Sequence, residues 1–271
     1  MRRVFYSIVA LVLMFVAMGC TTTPESKIIT IENGQFMRNG QPYYFVGTNF
    51  WYGAILGSEG EGGDRERLAK ELDFMKAHGI DNLRVLIGGE GENGLLGKIE
   101  PNLQPEPGVY NDEVLAGLDY LMMELGKRDM TAVLYFNNAW EWSGGYTQYV
   151  AWANNEPVLV PRVDGWFSYN TFAGELVRNE RAKELYYNHV RYIVTRTNRY
   201  TGIKYIDDPA IFSWQISNEP RAFSSKEQDN KEAFAEWITT SAKLIRELDP
   251  NHMISTGSEG YYGCEWDMEL C

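Results

Sequence analysis

The chain is poor in cysteine, in histidine and in positive charge. Three histidines in 271 residues, with no cysteine near them at metal-ligand spacing, argue against a histidine-based metal site. No cofactor is expected. Twenty-five Lys and Arg stand against 37 Asp and Glu, a formal net charge of −12. That balance excludes a polyanionic partner such as nucleic acid or an anionic membrane surface. No glycine-rich phosphate fingerprint opens the first β/α unit: Gly60-Glu61-Gly62-Gly63 does not match G-x-G-x-x-G and lies well past the strand. No repeat period and no low-complexity tract stands out. One long apolar run exists, Val4 to Met18, and it is too short and wrongly flanked for a durable transmembrane helix.

That run follows Arg2 and Arg3 and precedes Ala17-Met18-Gly19-Cys20. The arrangement resembles a bacterial lipoprotein signal. Residues 1–19 are expected to be removed, Cys20 to carry the lipid, and 20–27 to form a polar tether. Localisation follows: export and lipid anchoring at the outer membrane or cell surface, with plain secretion as the alternative. Cysteine use agrees with export. Cys264 and Cys271, seven residues apart, either close a local disulfide in an oxidising compartment or remain free or differently paired.

Aromatic residues are abundant, 14% of the chain with eight Trp and seventeen Tyr. An acidic, aromatic-rich chain suits a neutral ligand with stackable faces, such as a sugar. Core filling is the competing explanation.

Short apolar strands alternate with long helical segments. Strands are expected at 43–48, 80–87, 130–136, 210–216 and 252–256, and helices at 65–78, 111–129, 175–200 and 226–248. Asn137 to Thr171 reads as a long aromatic loop. Residues 28–45, with Asn33-Gly34 and Asn39-Gly40, read as a small hairpin lidding one end of the domain. The alternation signals parallel β/α units in an α/β fold. Long loops rich in Trp, Asn and Glu follow the strands, whereas short ones precede them. That asymmetry points to a (β/α)8 TIM barrel, with its chemistry at the C-terminal strand ends. Five strands are found where eight are needed, so 28–271 is expected to be the first five β/α units of a truncated barrel, acting as a monomer.

The richest segment is Trp214-Gln215-Ile216-Ser217-Asn218-Glu219-Pro220. Glu219 falls just past a buried strand, where a general acid for a glycosidic oxygen would sit. Trp214 and Pro220 would supply apolar surroundings to keep that acid protonated. A helix-dipole partner is the bland alternative. Asn218 can hold a sugar hydroxyl beside the scissile bond, or simply make a turn. Arg84, inside Leu83-Arg84-Val85-Leu86-Ile87, would hold a catalytic carboxylate ionised, or else lean out to a helix carboxylate. Trp51, Trp140, Trp142 and Tyr261, with Asn138 and Glu259, stand at strand ends as candidate sugar contacts. Loop packing must account for some of them.

Together these residues resemble glycoside hydrolase family 5, in its mannanase branch. Trp-x-Ile-x-Asn-Glu-Pro at 214–220 is similar to that family's acid/base motif. Gly47-Thr48-Asn49-Phe50-Trp51-Tyr52-Gly53, Asn137 to Gly145 and Ser255-Thr256-Gly257-Ser258-Glu259-Gly260 look like its strand ends. The resemblance implies a retaining hydrolase of β-1,4-mannan, with Glu219 as acid/base, Asn218 its neighbour and Arg84 the strand-two arginine. A β-1,4-glucanase on the same barrel and a non-catalytic glycan-binding protein are the alternatives. The family's nucleophile, a glutamate after strand seven, has no matching position. Glu259 matches a strand-five residue instead.

Overall fold

A computed structural model describes residues 28–95 and 97–265. The signal peptide, Cys20, the tether and Cys271 lie outside the described residues. Among the described residues eight strands form two sheets. The first is antiparallel and holds β1 (Thr30–Glu32), β2 (Gln35–Arg38) and β3 (Gln41–Pro42). The second is parallel, with β4 (Gly47–Asn49), β5 (Asn82–Leu86), β6 (Thr131–Tyr135), β7 (Ile211–Gln215) and β8 (Met253–Ser255) hydrogen-bonded in chain order.

Each two-residue turn of the small sheet needs left-handed backbone. Asn33 and Gly34 (φ 51° and 78°), then Asn39 and Gly40 (φ 53° and 72°), supply it. The sequence reading of 43–48 as one strand is corrected here. The Tyr43 amide donates to the Phe36 carbonyl at 2.7 Å, so this residue extends the small sheet, and the parallel strand starts at Gly47. Phe36 and Phe45 then pack on Phe212, with ring centroids 5.2 and 4.9 Å away. Tyr43 and Ile29 complete this separate apolar cluster. The small sheet thus closes the parallel sheet at the end opposite the strand C-termini.

Side chains alternate across a strand. Leu83, Val85, Ala132, Leu134 and Trp214 are fully buried in the main core with the helices. Arg84, Val133, Gln215 and Ser255 on the other face are only half-buried. Leu86, Tyr135, Gln215 and Ser255 stand in one row across four strands.

The covering helices start where side chains satisfy free amides. Asp64 caps Arg65–Ala77, Asn111 caps Asp112–Lys127 and Asn179 caps Glu180–Val194. The Asn179 cap divides the expected 175–200 helix, because a short 3₁₀ turn, Gly174–Val177, precedes it. The last helix starts at Lys231 rather than 226 and runs to Leu248. The stretch expected as a long aromatic loop is largely helical, with Gly145–Asn154, Pro161–Asp164 and Trp166–Ala173. Its aromatics are why: Tyr146, Tyr149, Tyr169 and Phe172 are buried, so the segment carries a core of its own.

Candidate active site

The loops after β6, β7 and β8 meet at the C-terminal edge of the parallel sheet. Backbone bonds hold Ser217–Glu219 from both sides. The Asn218 amide donates to Asn137 O (2.8 Å), and the Ala139 amide donates back to Asn218 O (3.0 Å). On the other side the Ser217 and Glu219 amides donate to Thr256 O and Gly257 O at 3.2 and 3.0 Å. Glu219 adopts φ 50°, a left-handed conformation uncommon for a residue with a Cβ. Such conformations persist where surrounding bonds over-determine them. Gly257 (φ 86°) is the close approach that permits this: a Cβ there would stand 1.8 Å from Ser217 O.

The half-buried Glu219 carboxylate accepts a hydrogen bond from the Trp140 indole N–H. Asn218 donates through Nδ2 to Asn138 Oδ1 at 2.9 Å. Asn138 itself is fully buried. Beneath Glu219 the half-buried face carries a polar chain. Arg84 Nε donates to Gln215 Oε1 (2.7 Å), and Gln215 Nε2 donates to Ser255 Oγ (3.1 Å). The Arg84 guanidinium also lies 4.2 Å from the Tyr135 ring centroid and reaches Asn49 Oδ1 at 3.4 Å. Burial pulls the Arg84 pKa down, opposed by the nearby Tyr135 and Glu219. Burial likewise raises the Tyr135 hydroxyl pKa, against the pull of Arg84 and with the push of Glu219. Arg84, Tyr135 and Glu219 therefore form one electrostatic unit. Among the described residues Arg84 forms no salt bridge, and the Glu219 carboxylate acts on it through space.

Trp214 takes a different place from the one its sequence position suggested. One residue before inward-facing Gln215, it points to the opposite face. It stacks on Phe136 at 5.5 Å and donates through Nε1 to Asp249 Oδ2 at 2.7 Å. It therefore does not flank Glu219; Trp140, from the neighbouring loop, does.

Glu259 is ion-paired with Arg221. The Arg221 guanidinium lies 5.1 Å from the Trp140 ring centroid. Trp51 and Trp142 form a separate edge-to-face pair at 5.8 Å, with Trp51 39% exposed. Tyr261 is 48% exposed in the short 3₁₀ turn Gly260–Tyr262. Cys264 is disulfide-bonded. Sequence reasoning did not single out Tyr135, Gln215, Ser255 or Arg221. Gln215 and Ser255 stood inside quoted motifs, and strand parity from Arg84 would have found them.

A buried carboxylate sits below the same edge. Glu90, fully buried, accepts from the Gly145 amide (3.0 Å) and the Tyr149 hydroxyl (3.3 Å). Burial raises its pKa to about 7 and lowers that of nearby Lys98 to about 8.

The sequence and the fold are similar to those of known proteins. A putative mannan endo-1,4-beta-mannosidase 9 of Oryza sativa subsp. japonica is 33% identical over 241 residues, 86% of this chain and 53% of that protein. A glycoside hydrolase family 5 mannosidase of Rhizomucor miehei superposes with a TM-score of 0.79 at 33% identity, over 89% of this chain and 59% of its own. The endo-1,4-beta-mannanase of the same organism gives 0.67 at 25% identity, over 86% and 61%. The chain spans about half the length of the curated relatives it matches. Residues 26–271 match the family model described as glycoside hydrolase family 5 beta-mannosidase-like, and the chain belongs to that family.

Proposed function

We propose that this chain carries the acid/base half of a retaining endo-β-1,4-mannanase. One observation carries the reading. Glu219 is held in left-handed backbone at the C-terminal edge of the sheet, within electrostatic reach of Arg84, which forms no salt bridge among the described residues. Glu219 protonates the leaving glycosidic oxygen, then takes a proton from the attacking water. Asn218, anchored by Asn138, presents its remaining amide capacity to a sugar hydroxyl. The retaining route needs two carboxyl groups about 5 Å apart. Glu259 is engaged by Arg221, so the nucleophile comes from outside the described residues and lies against Arg84. The five parallel strands are then five of the eight of a (β/α)8 barrel. Relatives of which the matched segment covers about half support that inference.

The substrate follows from relatives named mannan endo-1,4-beta-mannosidases. The higher TM-score of the Rhizomucor miehei mannosidase favours a second reading, an exo-acting β-mannosidase. Trp51, exposed, and Trp142, half-buried against it, suit stacking on further pyranose rings and favour the endo mode. Lipid attachment at Cys20 would place the enzyme, as a monomer, on the bacterial surface.

The test uses the mannan-hydrolysing protein that carries this segment. Glu219→Gln should lower mannan hydrolysis about 10²–10⁴-fold and leave mannan binding intact. Near-normal turnover would remove Glu219 from the role. The wild-type products separate the modes, mixed oligosaccharides for endo cleavage and mannose alone for exo. Equal turnover of β-1,4-glucan would overturn the mannan assignment.

A further inference from the structure

We propose that Trp140 is a positioning residue for Glu219, acting through its indole N–H, and that Arg221 and Glu259 hold the indole in that pose. The proposal rests on the reading of Glu219 as acid/base. Trp140 Nε1 donates to Glu219 Oε2. The guanidinium of Arg221 covers the ring face at 5.1 Å, and Glu259 pairs with that guanidinium. Two rings close the edges. Phe223 stands 5.7 Å away at 86°, and Trp166 stands 6.1 Å away at 81°. The ring is thus fixed on several sides, and one of its faces is already occupied by a cation.

An indole N–H is a donor only. It can bond a carboxylate oxygen or the carbonyl oxygen of a carboxylic acid, never the oxygen's own proton. With Oε2 engaged by Trp140, Oε1 is the oxygen left to carry the proton of Glu219. Trp140 thereby chooses which oxygen delivers the proton. The bond is strongest to the carboxylate, because an N–H donates more strongly to a charged acceptor. Glu219 acts through space on Arg84 from β5 and Tyr135 from β6, while Arg221 and Glu259 pair beside the indole. Among the described residues the Trp140 indole bonds the carboxylate directly.

The test is spectroscopic and requires no hydrolysis. The chain has eight tryptophans, so ¹⁵N–¹H spectra of the full chain resolve at most eight indole signals. Trp140→Phe identifies one of them, and ring contacts to Phe223 and Trp166 identify it independently should that variant fail to fold. In Glu219→Gln this signal should move upfield, because a neutral amide accepts the bond more weakly than a carboxylate, and the other indole signals should stay in place. A Trp140 signal that does not move, or that moves no more than the other indole signals, overturns the proposal. Either outcome leaves the hydrolysis test of Glu219 untouched, so the two ideas fail separately.

Discussion

Arg84 Nε donates to Gln215 Oε1 at 2.7 Å across the full width of β6. Both side chains therefore project from the half-buried face of the sheet, and the guanidinium passes over the Tyr135 ring between them. A partly buried cation with no salt bridge among the described residues costs stability.

Replacing that cation separates stability from function. Arg84→Met should leave the urea midpoint unchanged or raise it, because an unpaired, partly desolvated charge is removed. Hydrolysis in the complete enzyme should fall at least about 10²-fold. Urea titration and mannan assays on one preparation test both. A stability loss above about 2 kcal/mol would show that the polar chain to Gln215 and Ser255 matters more to the fold than the charge costs it.

Gly257→Ala should damage the site from a distance. A methyl group 1.8 Å from Ser217 O cannot be accommodated, and φ 86° disfavours any L-residue. The expected result is a loss of about 1–3 kcal/mol with a drop in turnover, since Gly257 O holds the Glu219 amide. Calorimetry with wild-type-like unfolding would contradict this. Gly34→Ala, with equally positive φ on the remote small sheet and nothing within 4 Å, controls for backbone strain alone.

Two buried groups give opposite pH dependences. Burial raises Glu90 to about 7, so the folded state binds its proton more tightly than the unfolded chain. Its contribution is present below the ordinary carboxyl range and is lost as pH rises through about 7. His189 is lowered to about 4 by burial, with Nε2 donating to Ile87 O at 2.9 Å and Nδ1 bonded to the Tyr110 hydroxyl. Its contribution is present above about 6.5 and is lost as pH falls through about 4. Each is worth roughly 3 kcal/mol, so the slopes partly cancel in the wild type. Glu90→Gln should unmask the histidine, with stability rising from pH 4 to pH 6.5 more steeply than in the wild type. Urea midpoints across that range decide it, and parallel curves would exclude Glu90 as the source.

Asp249 binds Trp214 Nε1 and His252 Nδ1, each at 2.7 Å. Asp249→Ala strands both buried partners and should cost about 2–5 kcal/mol. Trp214→Phe removes one donor while keeping the stack on Phe136, and should cost less. Equal losses in the two variants would mean that ring packing alone, not the buried hydrogen bonds, holds this layer.

The order of β/α units, the antiparallel cap and the strand-end position of Glu219 were all determined by sequence alone. Local chemistry suffices for these: Asn-Gly turns, helix caps at Asp64 and Asn111, short apolar runs, and a carboxylate immediately after one of them. Asn179 caps its helix inside a stretch whose helical pattern reads as continuous in sequence. The helices between Gly145 and Ala173 fall in a stretch that reads as an aromatic loop, because the core that buries their aromatics forms only in the tertiary structure. Tertiary structure alone decided what surrounds Glu219. The motif places Trp214 next to it in sequence, yet a strand sends successive side chains to opposite faces, so Trp214 joins Asp249. Trp140, seventy-nine residues away in sequence, takes the position instead. Arg221 and Glu259 likewise meet only because β7 and β8 pair in parallel and bring their following loops to one edge. A sequence lists which side chains exist near a strand end; parity and loop packing choose which of them touch.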